Sequence, residues 1–237
     1  MSLPKLGVNI DHIATLRQLR GTPYPGILEA AQIVEVAGGD QITVHLREDR
    51  RHIQDEDVKI LRAKLKIPLN LEMAATDAMV RFATRVRPDW SCIVPEKRQE
   101  LTTEGGLNVE KNAKRISSCI TRLKKAGIRV SLFIEPSLAA VKLSAELGAD
   151  AVEFHTGRFC LKGSKAELER IRKAAELAIR LKIVPHAGHG FDYENVRRVA
   201  ALGLIEEYNI GHSIVCRAAI VGLERAVREM ISSIQAP

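Results

Sequence analysis

Apolar residues along the chain collect into short runs bounded by glycine, proline or charged turns. Eight of these read as buried strands: Leu6 to Ile10, Gln41 to His45, Leu69 to Met73, Trp90 to Val94, Ile128 to Ile134, Ala151 to Phe154, Ile183 to His186 and Glu206 to Ile210. The stretches between them carry helical spacing, most clearly from Ser164 to Leu181, where Leu168, Ile171, Ala175, Ala178 and Leu181 fall on one stripe. Ser164 and Glu167 match a capping box, and Glu169 before Lys173 and Glu176 before Arg180 match stabilising i,i+4 pairs. A last helix is expected through Ala219, Leu223, Ala226 and Met230.

Strand starts recur every ~28 residues, the scale of a βα unit. Eight units predict an α/β fold, a TIM (β/α)8 barrel. No Pro/Ser-rich linker or low-complexity tract divides residues 1–237, so a single domain is expected. An open doubly wound sheet is the competing architecture, but Asn9-Ile-Asp-His stands where its glycine-rich phosphate turn belongs.

The seven histidines, at 12, 45, 52, 155, 186, 189 and 212, all fall at the end of an expected strand or in the loop after it. A barrel enzyme gathers its polar groups on that rim. Asn9, Asp11, Arg47, Glu72, Glu135 and Glu153 fall there too. Glu72 sits in Asn70-Leu-Glu-Met, where an unpaired buried charge is expensive, so a partner or a raised pKa must compensate. Glu153 poses the same question.

Two features point to phosphate. The glycine turns Ala187-Gly-His-Gly190 and Asn209-Ile-Gly-His212 are expected to lead into helices whose free N–H groups hold an anion. Three arginines crowd His45-Leu-Arg-Glu-Asp-Arg-Arg-His52 and offer a second anion site, with a solvated charge run as the plain alternative. A phosphate near His189 is expected to raise its pKa. His186-x-x-His189 offers two metal ligands without a third, so no metal is expected. No lysine falls inside an expected strand, which argues against an enzyme-bound imine; Lys97 and Lys162 are the nearest rim candidates.

Composition narrows the function classes. Lys plus Arg number 36 against 29 Asp plus Glu, a net +7 that suits nucleic acid, a membrane surface or small anionic substrates. Aromatic content of 4% disfavours a base-stacking platform. Asp11 interrupts the first residues before a signal-peptide core can form, and no long uncharged apolar run appears, so a cytoplasmic protein that does not span a membrane is expected. Cys92, Cys119, Cys160 and Cys216 form no C-x-x-C pair and read as reduced, packed thiols.

The segments Gly7-Val-Asn-Ile-Asp-His12, Ile42-Thr-Val-His-Leu-Arg-Glu-Asp-Arg-Arg-His-Ile53, Asn70-Leu-Glu-Met73, Val94-Pro-Glu-Lys-Arg-Gln-Glu100, Thr102-Thr-Glu-Gly-Gly-Leu107, Glu153 with His155-Thr-Gly157, and Asn209-Ile-Gly-His212 closely resemble the pyridoxine 5'-phosphate synthase family. The resemblance runs from residue 7 to about 230. It implies a TIM barrel that condenses 1-deoxy-D-xylulose 5-phosphate with 3-amino-2-oxopropyl phosphate, closing a pyridine ring and releasing inorganic phosphate and water. It implies no metal or organic cofactor, and a large homo-oligomer, typically an octamer.

By motif position His45, Glu72 and His189 are the implied acid-base residues, and Glu153 the implied stabiliser of charged transition states. Asn9, Arg20, Gly190, Gly211 and His212 are implied for the aminoketone phosphate, and Asp11, His12, Arg47, His52 and Thr102 for the pentulose phosphate. Where the family commonly reads Asn-Ala-Gly-His-Gly-Leu, this chain has His186-Ala-Gly-His-Gly-Phe191. An imine-forming reaction needs water excluded. Ala14 to Gly26 and Pro95 to Asn108 are the expected lids. The rival readings are another phosphate-handling barrel, such as an isomerase or aldolase, and a basic RNA-binding protein without catalysis.

Overall fold

All eight expected strands form, with ends displaced by two residues at most: β1 (Lys5–Asn9), β2 (Gln41–His45), β3 (Leu69–Met73), β4 (Trp90–Ile93), β5 (Arg129–Ile134), β6 (Ala151–His155), β7 (Val184–Gly188) and β8 (Glu207–Ile210). Each pairs in parallel with the next, and β8 pairs with β1 through Leu6↔Tyr208 and Gly7↔Asn209, closing the barrel. The computed structural model describes residues 3–102 and 105–236; Thr103 and Glu104, within the second expected lid, lie outside the described residues. The connecting helices are α1 (Asp11–Arg20), α2 (Ile27–Ala37), α3 (Asp55–Lys64), α4 (Asp77–Val86), α5 (Val109–Lys125), α6 (Leu138–Glu146), α7 (Gly157–Lys162), α8 (Lys165–Arg180), α9 (Asn195–Ala200), α10 (His212–Val221) and α11 (Leu223–Gln235). Among the described residues no helix is long and apolar enough to cross a membrane.

Strand alternation separates two cores. Leu6, Val8, Ile42, Val44, Leu69, Leu71, Val130, Leu132, Val152 and Phe154 are fully or almost fully buried and belong to the large apolar cluster that also holds the buried helix faces. The alternate positions face the barrel axis and are mostly polar. Their side chains meet across an intervening strand: Gln41 Nε2 donates to Glu207 Oε1 at 2.7 Å, Thr43 Oγ1 to Asn209 Oδ1 at 2.8 Å, and Asn209 Nδ2 to Glu153 Oε2 at 2.9 Å. Contacts that skip a strand can form only inside the barrel. This interior therefore departs from the branched aliphatic layers usual in such barrels, and each buried polar group needs a partner.

Several helix expectations change in detail. Ser164 Oγ accepts from Glu167 N at 3.2 Å, but the Glu167 carboxylate turns to Arg170 and Arg158. Glu169 pairs with Lys173 at 3.6 Å as expected, whereas Glu176 pairs backwards with Arg172. The expected last helix is two helices, because Gly222 at φ +86° and ψ 153° breaks the chain between α10 and α11. Residues 14–20 of the first expected lid form the body of α1, leaving residues 21–26 as loop. Cys92 and Cys119 are buried free thiols, but Cys216 is exposed rather than packed.

Candidate active site

At the C-terminal ends of the strands a cavity of about 720 Å³ opens, lined by ten of the expected site residues: Asn9, Asp11, His12, His45, Glu72, Glu153, His189, Gly190, Gly211 and His212. Arg20, Arg47, His52 and Thr102 are not among its lining residues. Arg20 is exposed at the end of α1. Thr102 lines a neighbouring cavity with Leu107 and Glu135. His52 packs edge-on to His45 at 6.2 Å, and its Nδ1 accepts from Ile53 N; burial first, then the His45 and arginine charges, pushes its pKa down to about 4.

The three arginines of that loop do not converge. Arg50 is held by Asp55 at 2.6 Å and Arg51 by Asp49 at 2.6 Å. Arg47 keeps a looser contact to Asp49 at 3.5 Å, with its Nε buried and without a hydrogen bond, so it is the arginine left to face an anion.

The start of α1 and the ends of β2 and β3 bring Asp11, His45 and Glu72 together, with a ring nitrogen and carboxyl oxygens within 4.8 Å of one another. Asp11 Oδ1 accepts the His45 backbone N–H at 2.9 Å, and His45 Nδ1 faces Glu72 Oε2 at 3.9 Å. Burial, then the charges of Glu153 and Asp11, push Glu72 well above the ordinary carboxylate range. Burial pushes Asp11 up to about 6 against the opposing hydrogen bonds and charge of His45. Glu72 thus holds its proton near neutral pH, whereas Asp11 gives its proton up just below it.

Among the described residues Glu153 forms no ion pair with a lysine or arginine; it accepts from Asn209 and lies 4.0 Å from Cys92 Sγ. Burial and Glu207 push it up to about 8. Its room comes from Gly188, where a Cβ would stand 2.2 Å from Glu153 Oε1. Both glutamates thus meet the cost of burial by holding protons instead of by ion pairing.

His189 sits just past β7 with φ +72°, a strained setting for a residue with a side chain. The segment after β6 supports it: Thr156 Oγ1 lies 2.8 Å from Gly188 O and 2.7 Å from His189 O, and the His155 ring packs 4.9 Å from the His189 ring. His155 Nδ1 in turn meets Glu135 Oε1 at 2.9 Å. Burial first, and the neighbouring His155 imidazole second, lower the His189 pKa; the rise expected from a phosphate is a separate matter of the occupied site.

His186 overturns the picture of seven histidines on one rim. β7 runs two residues beyond its expected end, so His186 lies inside the barrel, 4% exposed, against Trp90 at 5.4 Å and with Nδ1 3.7 Å from Glu207. The charges that act on it belong to Lys5, Glu206 and Arg129, at the strand starts, which places it at the base. His186 and His189 therefore cannot share a metal. His12 falls in the first turn of α1 rather than in a loop, 5.0 Å from the His212 ring. Lys5 opens β1, but at the base, exposed and paired with Glu206 at 3.3 Å.

Of the two glycine turns, the one after β8 leads directly into a helix, α10, whose N-cap Gly211 provides no side-chain cap. A Cβ at Gly211 would lie 2.6 Å from Asn9 O. The turn after β7 reaches α9 only at Asn195. Ser213, in the first turn of α10, has a buried Oγ without a partner and lines the cavity. Sequence reasoning missed Ser213, although it follows His212 directly. It also gave no role to Glu96, which meets His45 Nε2 at 3.1 Å.

The chain matches the family model described as pyridoxal phosphate biosynthesis protein PdxJ over residues 6–236. A protein named pyridoxine 5'-phosphate synthase from Geobacter sulfurreducens is 56% identical over 237 residues, covering 98% of this chain and 99% of its own. One of the same name from Bdellovibrio bacteriovorus is 54% identical, covering 95% and 96%. Among solved structures, one described as "Native KDPGal structure" superposes with a TM-score of 0.68 at 14% identity, covering all of this chain and 96% of that one. A 4-hydroxy-2-oxoglutarate aldolase/2-deydro-3-deoxyphosphogluconate aldolase superposes at 0.62 with 15% identity, covering 88% of each. These two likenesses concern the barrel alone.

Proposed function

Because this chain belongs to the PdxJ family, we propose that it acts as a pyridoxine 5'-phosphate synthase, condensing 1-deoxy-D-xylulose 5-phosphate with 3-amino-2-oxopropyl phosphate and releasing inorganic phosphate and water. The observation that carries the reading is the meeting of His45, Glu72, Glu153 and His189 on one cavity with the uncapped start of α10. Imine formation, dehydration and ring closure each move protons at carbonyl, hydroxyl and amine groups, and positioned acids and bases with pKa values near neutrality serve such steps.

Glu72, held protonated, delivers a proton to a departing hydroxyl, and His45 beside it takes one up. Glu153, on the same cavity, is assigned the stabilisation of charged transition states. His189, neutral at its lowered pKa, takes up a proton first and returns it as imidazolium in a later step. A phosphate seated against Gly190 and Gly211 restores part of its basicity.

The aminoketone phosphate fits the α10 start, where the N–H groups after Gly211, the Ser213 hydroxyl and His212 face the cavity beside Asn9. Arg20 is assigned to the same substrate. Asp11, His12, Arg47, His52 and Thr102 are assigned to the pentulose phosphate, with Arg47 as the available guanidinium. The segment 95–108 covers the mouth during turnover. No metal or organic cofactor enters this scheme.

The same reading makes the protein a cytoplasmic homo-oligomer, an octamer, with no nucleic-acid or membrane partner. Leu16, Leu19 and Tyr24, exposed around Arg20, offer apolar area for a neighbouring copy. The test is an incubation of the purified protein with both phosphate esters, followed by pyridine absorbance and phosphate release. Product that needs both esters is expected; cleavage or isomerisation of one ester alone would replace the synthase with an aldolase or isomerase.

A further inference from the structure

The loop after β4 is built to aim one carboxylate. Arg115 of α5 holds Glu100 Oε1 at 2.7 Å, and Glu100 Oε2 accepts the backbone N–H groups of Glu96 and Lys97 at 3.0 and 3.1 Å. Glu100 is 2% exposed, so this anchor lies inside the protein. The Glu96 side chain, 4% exposed, then places Oε1 3.1 Å from His45 Nε2, while its Oε2 accepts the Glu48 N–H at 2.9 Å. A chain of four residues from α5 thereby ends on the imidazole between Glu72 and Glu96.

We infer that Glu96 is a positioning residue for His45: its carboxylate accepts the Nε2–H, fixes that tautomer, and leaves Nδ1 unprotonated toward Glu72 and the substrate. The inference rests on the proton-transfer role given to His45 above. The two ring nitrogens face carboxyls of opposite character. Glu72 is kept protonated by burial and neighbouring acids. At Glu96 burial raises the pKa, but hydrogen bonds from His45 and Glu48 outweigh it and hold the group below its ordinary value, in the acceptor-only form. An ionised acceptor on Nε2 and a protonated carboxyl opposite Nδ1 select one tautomer out of two. The other charged groups facing this ring are Asp11 from the start of α1 and Arg47 and His52 from its own loop. None of them is placed on Nε2.

Glu96→Gln tests the inference, because an amide of the same shape keeps the loop contacts but can present N–H as well as C=O. Turnover is expected to fall about 10²-fold, with KM for both phosphate esters little changed. Nitrogen-15 NMR of labelled histidine is expected to show Nε2-protonated His45 in the unmutated protein and a mixed tautomer in the variant. Glu96→Asp, which keeps the charge, is expected to recover part of the lost turnover. Lys59→Ala removes an exposed ion pair to Glu56 at 3.1 Å on α3 without touching His45 or its loop, and is expected to leave turnover unchanged. Unmutated turnover in Glu96→Gln, a loss confined to KM, or an equal loss in Lys59→Ala overturns the inference while the synthase reading stands. Full turnover in His45→Gln overturns both.

Discussion

At the mouth of the barrel, Glu72 and Glu153 share a cavity with His45 and His189; at the base, Glu207 faces His186 beneath Trp90. Each end pairs buried carboxyls of raised pKa with a histidine of lowered pKa: Glu207 is pushed up to about 7 by burial, and His186 down to about 4 by burial. Titration behaviour alone therefore does not mark the reactive end. The base carboxyl accepts from Gln41 and Asn209 and lines none of the cavities described above, whereas the mouth leaves ring nitrogens and carboxyls turned toward space a substrate can fill. Shifted protons report burial, and convergence on an open volume reports chemistry.

The comparison breaks most sharply at Glu72. Glu72→Gln is expected to cut turnover by about 10²-fold or more with the fold intact, since it removes a proton donor and keeps shape. Circular dichroism and a full kinetic profile check this, and a near-normal rate would remove Glu72 from the mechanism. His189→Asn is expected to lower kcat by about 10-fold or more while changing KM far less, because the loss falls on proton transfer. A loss in KM alone would make His189 a phosphate ligand.

The element order was legible because strand and turn chemistry are local, and each of the eight strands began within one residue of its expected start. The polar interior was not. Leu6-Gly-Val-Asn-Ile10 reads the same whether Gly7 and Asn9 face solvent or a closed axis, and barrel closure through Gly7↔Asn209 decides which. His186 was misplaced for a related reason: two further residues of β7 move a side chain from the rim toward the base without any change in local composition. Glu96 lies within a motif, yet its role depends on Arg115 and Glu100, up to 19 residues further along the chain, and no spacing rule connects them.

The base should respond through stability where the mouth responds through rate. The Glu207 proton is held more tightly in the folded chain than in the unfolded one, where its pKa is the ordinary 4.5. Its contribution to stability is thus complete below about 4.5 and lost as pH rises through about 7. At about 1.4 kcal/mol per unit of pKa difference, Glu207→Gln should raise stability above pH 7 by a few kcal/mol at most, leave it unchanged in acid, and leave turnover intact. Melting temperatures across pH, taken beside rates, test this; lost turnover would join the base to the active site.

His186 works in the opposite sense. Its lowered pKa contributes stability that is complete above its ordinary 6.5 and lost as pH falls through about 4. His186→Asn should therefore soften the acid-side loss of melting temperature without changing turnover at neutral pH. The smallest effect expected is none: exhaustive chelation should leave activity unchanged, because burial keeps Glu72 protonated and so removes one of the charges a cation would need. A loss restored specifically by zinc would rewrite the mouth as a metal centre.

Closure of the sheet also brings distant parts of the chain together. β1 lies beside β8, and Gln235 Nε2 reaches Pro4 O at 3.5 Å across the outside of the barrel. No catalytic group assigned here depends on where along the ring the polypeptide starts. A circular permutant that links Gln235 to Pro4 through a short linker and opens the loop between α4 and β4, on the base side, would present the same mouth from a rearranged gene. The order in which the ribosome makes the eight units could then be varied independently of the chemistry they assemble.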